Sequence, residues 1–185
     1  MTVILGIAGS LRRGSYNAAL LRALRDLAPA SVTFEEASIR GIPLYDGDVE
    51  TESGIPETVR ALKERIASCD GLLLVTPEYN NGLPGVFKNA IDWLSRPPAD
   101  IPRVFGGRAV ALCGATLGAG GTNIAQVAWL PVLRVLGVRP WLGRLLAVPT
   151  ANKFFDESGA LVDEKLRERA RAFITGFAEF AAHSR

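Results

Sequence analysis

The chain predicts an α/β fold, a doubly wound open sheet of parallel strands with helices on both faces. Three observations carry this. Short apolar runs rich in strand formers alternate with segments of helical periodicity along the 185 residues, giving five βα units. The runs are apolar throughout, as in "GLLLV" at 71–75, so both faces of each strand are buried, which is the habit of parallel sheets. No internal repeat, linker or low-complexity tail interrupts the order, and the length suits one domain, 1–185, with a substantial core. Right-handed crossovers then leave three layers as the simplest arrangement.

Each element follows from its own pattern. Val3 to Ala8 is a strand ended by Gly9 and Ser10. Leu20, Leu21, Leu24 and Ala28 recur at helical spacing with Arg22, Arg25 and Asp26 between them, and Pro29 stops the helix. Val32 to Ala37 is a weaker strand, and Ser38 to Pro56 reads as a long irregular loop, a feature more often functional than neutral. Val59, Leu62 and Ile66 mark the inner face of a helix over Glu57 to Ser68, before the strand Gly71 to Val75. A third helix runs through Val86, Ala90 and Leu94, and "RAVALCG", Arg108 to Gly114, is the fourth strand. The helix from Asn123 to Leu136 contains Pro131, which predicts a kink. The fifth strand lies within Val138 to Val148, interrupted by Pro140 and Gly143. Leu166, Ala170, Phe173, Ile174, Phe177 and Phe180 give the final helix a continuous apolar face.

Composition excludes several classes. With 48% hydrophobic residues and a formal charge of +2, the chain has no basic run or stripe that would bind nucleic acid. Cys69 and Cys113 read as buried reduced thiols, with no disulfide framework or metal site. The N-terminal apolar run is too short for a signal peptide, and its charges follow it instead of preceding it. No stretch approaches the roughly 18 apolar residues of a membrane span, so the expected compartment is the cytoplasm, with no membrane partner. The single histidine, His183, is expected in solvent, and no nucleophile–base pair stands out, so no side chain is assigned a proton-transfer role.

In an open α/β sheet, ligands bind beyond the carboxyl ends of the strands where the strand order reverses. The loops after strands one, three and four are also the three unusual stretches of this chain. The first, "GSLRRGSYN", places hydroxyls at a helix N-terminus, where free N–H groups and the helix dipole favour an anion. Arg12 or Arg13 can add charge, and Ser10, Ser15 and Asn17 can donate to phosphate oxygens; an N-cap at Ser15 beside solvated arginines is the plainer alternative. Gly9 and Gly14 have the spacing of a nucleotide-triphosphate loop, but Ser15 and Tyr16 stand where Lys and Ser/Thr are required. The dinucleotide glycine fingerprint is absent too, although Glu35 or Glu36 is placed to reach a ribose and keeps a flavin-free nicotinamide dehydrogenase open. A monophosphate held without metal fits best. After strand three, "TPEYNNG" sets the flat face of Tyr79 beside backbone donors and acceptors, which suits a planar heterocycle. The third loop, "GATLGAGGTN", is glycine-rich and could close on the other edge of that ring.

Taken together, "GIAGSLRRGSYN", "PLYDGD", "TPEYNNGLPGVFKNAIDWLSRP" and the Gly-Thr-x-x-Ala-Gln of Gly121 to Gln126 resemble the NAD(P)H-dependent FMN reductase family, over nearly the whole chain. That family includes quinone and chromate reductases. The resemblance implies a flavodoxin-like sandwich with a five-stranded parallel sheet in order 2-1-3-4-5. It implies FMN as cofactor, with Ser10, Arg12, Ser15 and Asn17 on the phosphate. Pro77, Glu78, Tyr79 and Asn80 would flank the isoalloxazine, with Thr116 near its other side. The expected activity is hydride transfer from NADPH or NADH through FMN to a small-molecule acceptor such as a quinone, or FMN itself, chromate or an azo compound, with ping-pong kinetics. Ile124 and "QVAWLP" stand where relatives carry an Arg and a polar run, so a homodimer is expected over the tetramer also found in the family. A non-enzymatic flavodoxin-like electron carrier is the rival reading; such carriers tend to be strongly acidic, and this chain is slightly basic.

Overall fold

A computed structural model describes residues 1–183. The elements run β1 (Thr2–Ala8), α1 (Tyr16–Asp26), β2 (Val32–Ala37), α2 (Gly47–Ser53), α3 (Glu57–Ser68), β3 (Gly71–Val75) and α4 (Gly85–Leu94). They continue with α5 (Ile101–Val104), β4 (Ala109–Ala115), α6 (Asn123–Val135), β5 (Arg139–Pro140), β6 (Ala147–Val148) and α7 (Glu164–Ala182). The strands form one parallel sheet in the order β2-β1-β3-β4-β5, with β6 also on β4, and this is the flavodoxin-like arrangement. Strand β1 lies between two neighbours: Ile7 pairs with Ala37 of β2 on one side and Leu74 of β3 on the other.

Strand alternation distributes the core over two layers. Ile4, Leu73, Val75 and the small residues Ala109, Ala111 and Cys113 face α1 and α7. Leu5, Ile7, Leu72, Leu74 and Val110 face α3, α4 and α6. Every residue of β3 is buried, so its uninterrupted "GLLLV" is the signature of a strand covered on both sides. The chain leaves β1 and β3 toward helices on opposite faces, which opens the crevice at the switch point where the site lies.

Two details depart from the sequence expectation, whereas the fifth strand is interrupted within Val138 to Val148 as expected. The fifth strand is two short pieces, β5 at the start of β4 and β6 at its end. Between them the indole of Trp141 sits edge-on to Phe173 at 5.0 Å, and the chain passes over it at Gly143, where a Cβ would come 2.7 Å from Trp141 Nε1. The segment Ser38 to Pro56 is not wholly irregular, since it holds α2. That helix buries no residue, so it has no apolar period to detect. An Asp46 cap, the Glu50–Arg96 ion pair at 2.8 Å and the packing of Tyr45 on Trp93 fix it instead. In α4 the inward residue is Phe87 rather than Val86, which lies 38% exposed. Helix α6 contains Pro131 at an exposed position, and the helix continues beyond it to Val135. Trp129 and Leu133 belong to the core.

Candidate functional site

The loops after β1, β3 and β4 meet in one cleft of about 170 Å³. Ser10, Arg12, Ser15, Asn17, Pro77, Glu78, Tyr79 and Thr116 all line it; Asn80 does not. Tyr16, Ala115 and Leu117 line it as well. Tyr16 stands inside the "GSYN" motif, so its place was available from the sequence, whereas Ala115 and Leu117 carry no chemical signal of their own.

At one end, Ser15 caps α1, its hydroxyl accepting the N–H of Ala18 at 3.3 Å. The other early N–H groups, those of Ser15, Tyr16 and Asn17, are beyond the helix's own ladder and are free for an anion. No acidic residue stands in the first turn of α1 to oppose one. Arg12 folds back over the loop, its Nε donating to Gly14 O at 3.2 Å and its guanidinium 5.8 Å from the Tyr16 ring centroid. The positive charge is thereby kept at the loop. Ser10 Oγ accepts the Arg12 N–H at 3.4 Å and its proton remains available. Asn17 is buried and binds both backbone groups of Ala115: Nδ2 donates to the carbonyl at 2.8 Å and Oδ1 accepts the N–H at 2.9 Å. It pins α1 to the end of β4.

The other end is built by the loop after β3. Tyr79 and Gly82 exchange backbone hydrogen bonds of 3.2 and 3.0 Å around Asn80 and Asn81, both at positive φ (50° and 55°). This is the two-residue mirror-image turn that asparagine tolerates and that tight hairpins require. Asn80 therefore shapes the turn, while Tyr79 emerges from it 47% exposed. The Glu78 carboxylate points to α6 and accepts the Ala125 N–H at 2.9 Å. Thr116, the first residue after β4, faces the loop, its backbone bonded to Val148 O at 3.0 Å and to the Ala151 N–H at 2.9 Å.

The chemistry offered is binding and orientation. Burial pushes both thiols, Cys69 and Cys113, up, so neither is a ready nucleophile. Among the described residues no group of three His, Cys, Asp or Glu could hold a metal ion. Glu35 and Glu36, the residues a nicotinamide-binding domain would place on a ribose, are engaged with Arg65 at 3.0 Å and Arg25 at 2.5 Å. No helix is long and apolar enough to cross a membrane among the described residues.

A capped helix start with free N–H groups, joined to an aromatic loop at the switch point of a flavodoxin-like sheet, suits a flat cofactor that carries a phosphate. Residues 2–153 match the family of NADPH-dependent FMN reductases, and the chain belongs to that family. It is 44% identical over 165 residues to an NAD(P)H-dependent FMN reductase of Pseudomonas aeruginosa, covering 89% of this chain and 87% of that one. It is 39% identical over 179 residues to a 2-hydroxy-1,4-benzoquinone reductase of Burkholderia, covering 97% and 96%. The solved structure of FerB, a flavoenzyme NAD(P)H:(acceptor) oxidoreductase of Paracoccus denitrificans, superposes with a TM-score of 0.88 at 29% identity over 100% of this chain and 99% of that one. The protein is an oxidoreductase with FMN as its cofactor and NAD(P)H as its donor.

Proposed function

We propose that this chain, as one FMN-binding domain, is an NAD(P)H:quinone-type reductase. The cleft that gathers the α1 N-terminus and the Tyr79 turn carries the reading. The residues fit the cofactor by their chemistry. Free N–H groups, hydroxyls and an arginine suit a phosphate dianion, and a half-exposed tyrosine on a rigid turn suits a flat ring. In this assignment Ser10, Arg12 and Ser15 hold the phosphate with the first N–H groups of α1. Asn17 contributes its backbone N–H while its amide keeps the loop against β4. Pro77, Glu78, Tyr79 and Thr116 border the ring, and Asn80 holds the turn.

FMN bound there would take a hydride from NAD(P)H and return two electrons to an acceptor. The chain's own part is to bind the phosphate, to place the ring, and to keep one ring face against protein and the other open. The volume of about 170 Å³ is well below the roughly 300–1,000 Å³ of an enclosing ligand pocket, so most of a flavin would lie over the cleft rather than inside it. A face open in this way suits flat acceptors, and quinones are the acceptor class read here. Leu44, Tyr45, Val49 and Val86, all exposed, supply apolar surface for a second copy, and a homodimer in the cytoplasm is the assembly proposed.

Purified protein should carry or take up FMN with flavin absorption bands, oxidise NADPH only when a quinone is supplied, and scatter light as a dimer at micromolar concentration. A colourless protein that ignores FMN would sink the reading. A flavin-bound protein without NADPH oxidation would make it an electron carrier, and a monomer would remove the dimer.

A further inference from the structure

The loop after β3 is fastened to α6 at two points one helical turn apart. Glu78 Oε2 accepts the Ala125 N–H at 2.9 Å, and Thr76 Oγ1 accepts the Trp129 indole N–H at 3.0 Å. Ala125 and Trp129 are fully buried. The first bond is a helix cap supplied from 47 residues away. It answers a local deficit. Thr122, in the N-cap position, makes no side-chain cap bond, and its hydroxyl accepts instead from Gln126 Nε2 at 3.0 Å. Gln126 also donates to Leu146 O at 3.3 Å, which holds that pair in place. Without Glu78, the first-turn N–H of Ala125 would be buried with no acceptor.

The parts joined are the two walls of the cleft. Pro77, Glu78 and Tyr79 form one wall; Thr116 and Leu117, on the loop that leads into α6, form the other. The walls already touch at their base. A Cβ at Gly114 would lie 2.0 Å from Thr76 O and 2.5 Å from Thr122 Oγ1, so only glycine admits this approach. Among the described residues, Glu78 alone both lines the cleft and bonds to α6.

We propose that the Glu78 carboxylate is a positioning residue that fixes the separation of the two loops gripping the flavin ring, acting through the α6 N-terminus and not by contact with the phosphate. The proposal rests on the flavin reading of the cleft. Its loss reaches the reaction through ring placement, so it differs both from a phosphate ligand and from a cap that only stabilises the helix.

Glu78→Ala removes the acceptor, while Glu78→Gln keeps an oxygen at the same reach. In titrations of the flavin-free full chain, Glu78→Ala should weaken FMN and riboflavin by the same factor. That factor is about 2- to 30-fold, the equivalent of losing a helix cap. At saturating FMN it should lower kcat more than it raises the KM for NADPH, and it should change the shape of the bound flavin's visible band. Glu78→Gln should restore affinity, rate and spectrum. Three results overturn the proposal. They are a loss confined to FMN, wild-type affinities and spectrum with only a lower melting temperature, and a Gln variant as damaged as the Ala variant. Wild-type protein that binds neither FMN nor riboflavin would remove the flavin reading itself, and this role with it.

Discussion

The two ends of the cleft are built by different means. The end at α1, proposed for the phosphate, is largely local: Ser10, Arg12, Gly14, Ser15 and the first turn of α1 bond to one another within a few residues of sequence, and Arg40 adds a bond to Leu11 O at 2.6 Å. The ring end is assembled from a distance. Glu78 reaches Ala125, Thr76 receives Trp129, and Thr116 is tied to Val148 and Ala151. A loop whose conformation is set by its own hydrogen bonds can bind its ligand even if its surroundings relax. A site made of three segments fails together when one tie is cut. Phosphate recognition should therefore be separable by single substitutions, whereas ring recognition should respond to residues that never meet the ring.

The largest expected effect tests that separability. Arg12 is held over its loop by Gly14 O and supplies the side-chain charge of the phosphate end. A charge-assisted hydrogen bond is worth roughly 1.5–3 kcal/mol, so Arg12→Ala should weaken FMN binding by about 10- to 150-fold. Riboflavin, which has no phosphate, should bind as before. Fluorescence titration of both ligands is the measurement. Equal losses would mean that the loop shapes the whole cleft and that the contrast between its ends is wrong.

Asn17 is where the two ends join. Its buried amide satisfies both backbone groups of Ala115, at 2.8 and 2.9 Å, across 98 residues of sequence. Asn17→Ala would leave that carbonyl and N–H without partners, at about 1–3 kcal/mol for an unsatisfied buried group. For a chain of this size each kcal/mol moves the melting temperature by roughly 2–4 °C. The loss should appear already in flavin-free protein, unlike that of Arg12→Ala. An unchanged melting temperature with weaker FMN binding would make the Asn17 amide a phosphate ligand and return it to the local end.

The same contrast decides what could be read from the sequence. The sheet was legible because strands such as β3 are covered on both sides, and continuous burial leaves a continuous apolar run. The loop after β1 was legible as a candidate anion site because hydroxyls, glycines and a helix start lie side by side. Helix α2 was not, because periodicity reports burial and it buries nothing. The interruption of the fifth strand was legible from Pro140 and Gly143, whereas Val86 is one residue off the inward phase of α4. The direction of the Glu78 carboxylate and the partners of Asn17 depend on segments 47 and 98 residues away, and no local pattern encodes them. Of the nine residues named from the sequence, eight line the cleft and Asn80 does not, and the sequence left open which act by contact and which by holding others still.

The smallest expected effect concerns the ring end itself. Tyr79 leaves a turn closed by two backbone hydrogen bonds, so its ring is held by a rigid base while it stays 47% exposed. A flavin laid against this wall has one face on protein and one face toward solvent. Nicotinamide and quinone are both flat and both need close approach to the ring for hydride transfer, so they must use that one open face in turn. NADP⁺ then has to leave before the acceptor enters, which is a ping-pong scheme. Double-reciprocal plots of rate against NADPH at several quinone concentrations should be parallel. Removing the phenol should cost about 0.5–1.5 kcal/mol of ring contact, a flavin affinity some 2- to 13-fold weaker, with slower half-reactions. The lines for Tyr79→Ala should nevertheless stay parallel, because the order of events follows from the shared face and not from the tyrosine. Converging lines in the wild type, with NADPH and quinone bound together, would mean that Tyr79 divides two pockets. The ring end would then be a pair of sites instead of one open wall.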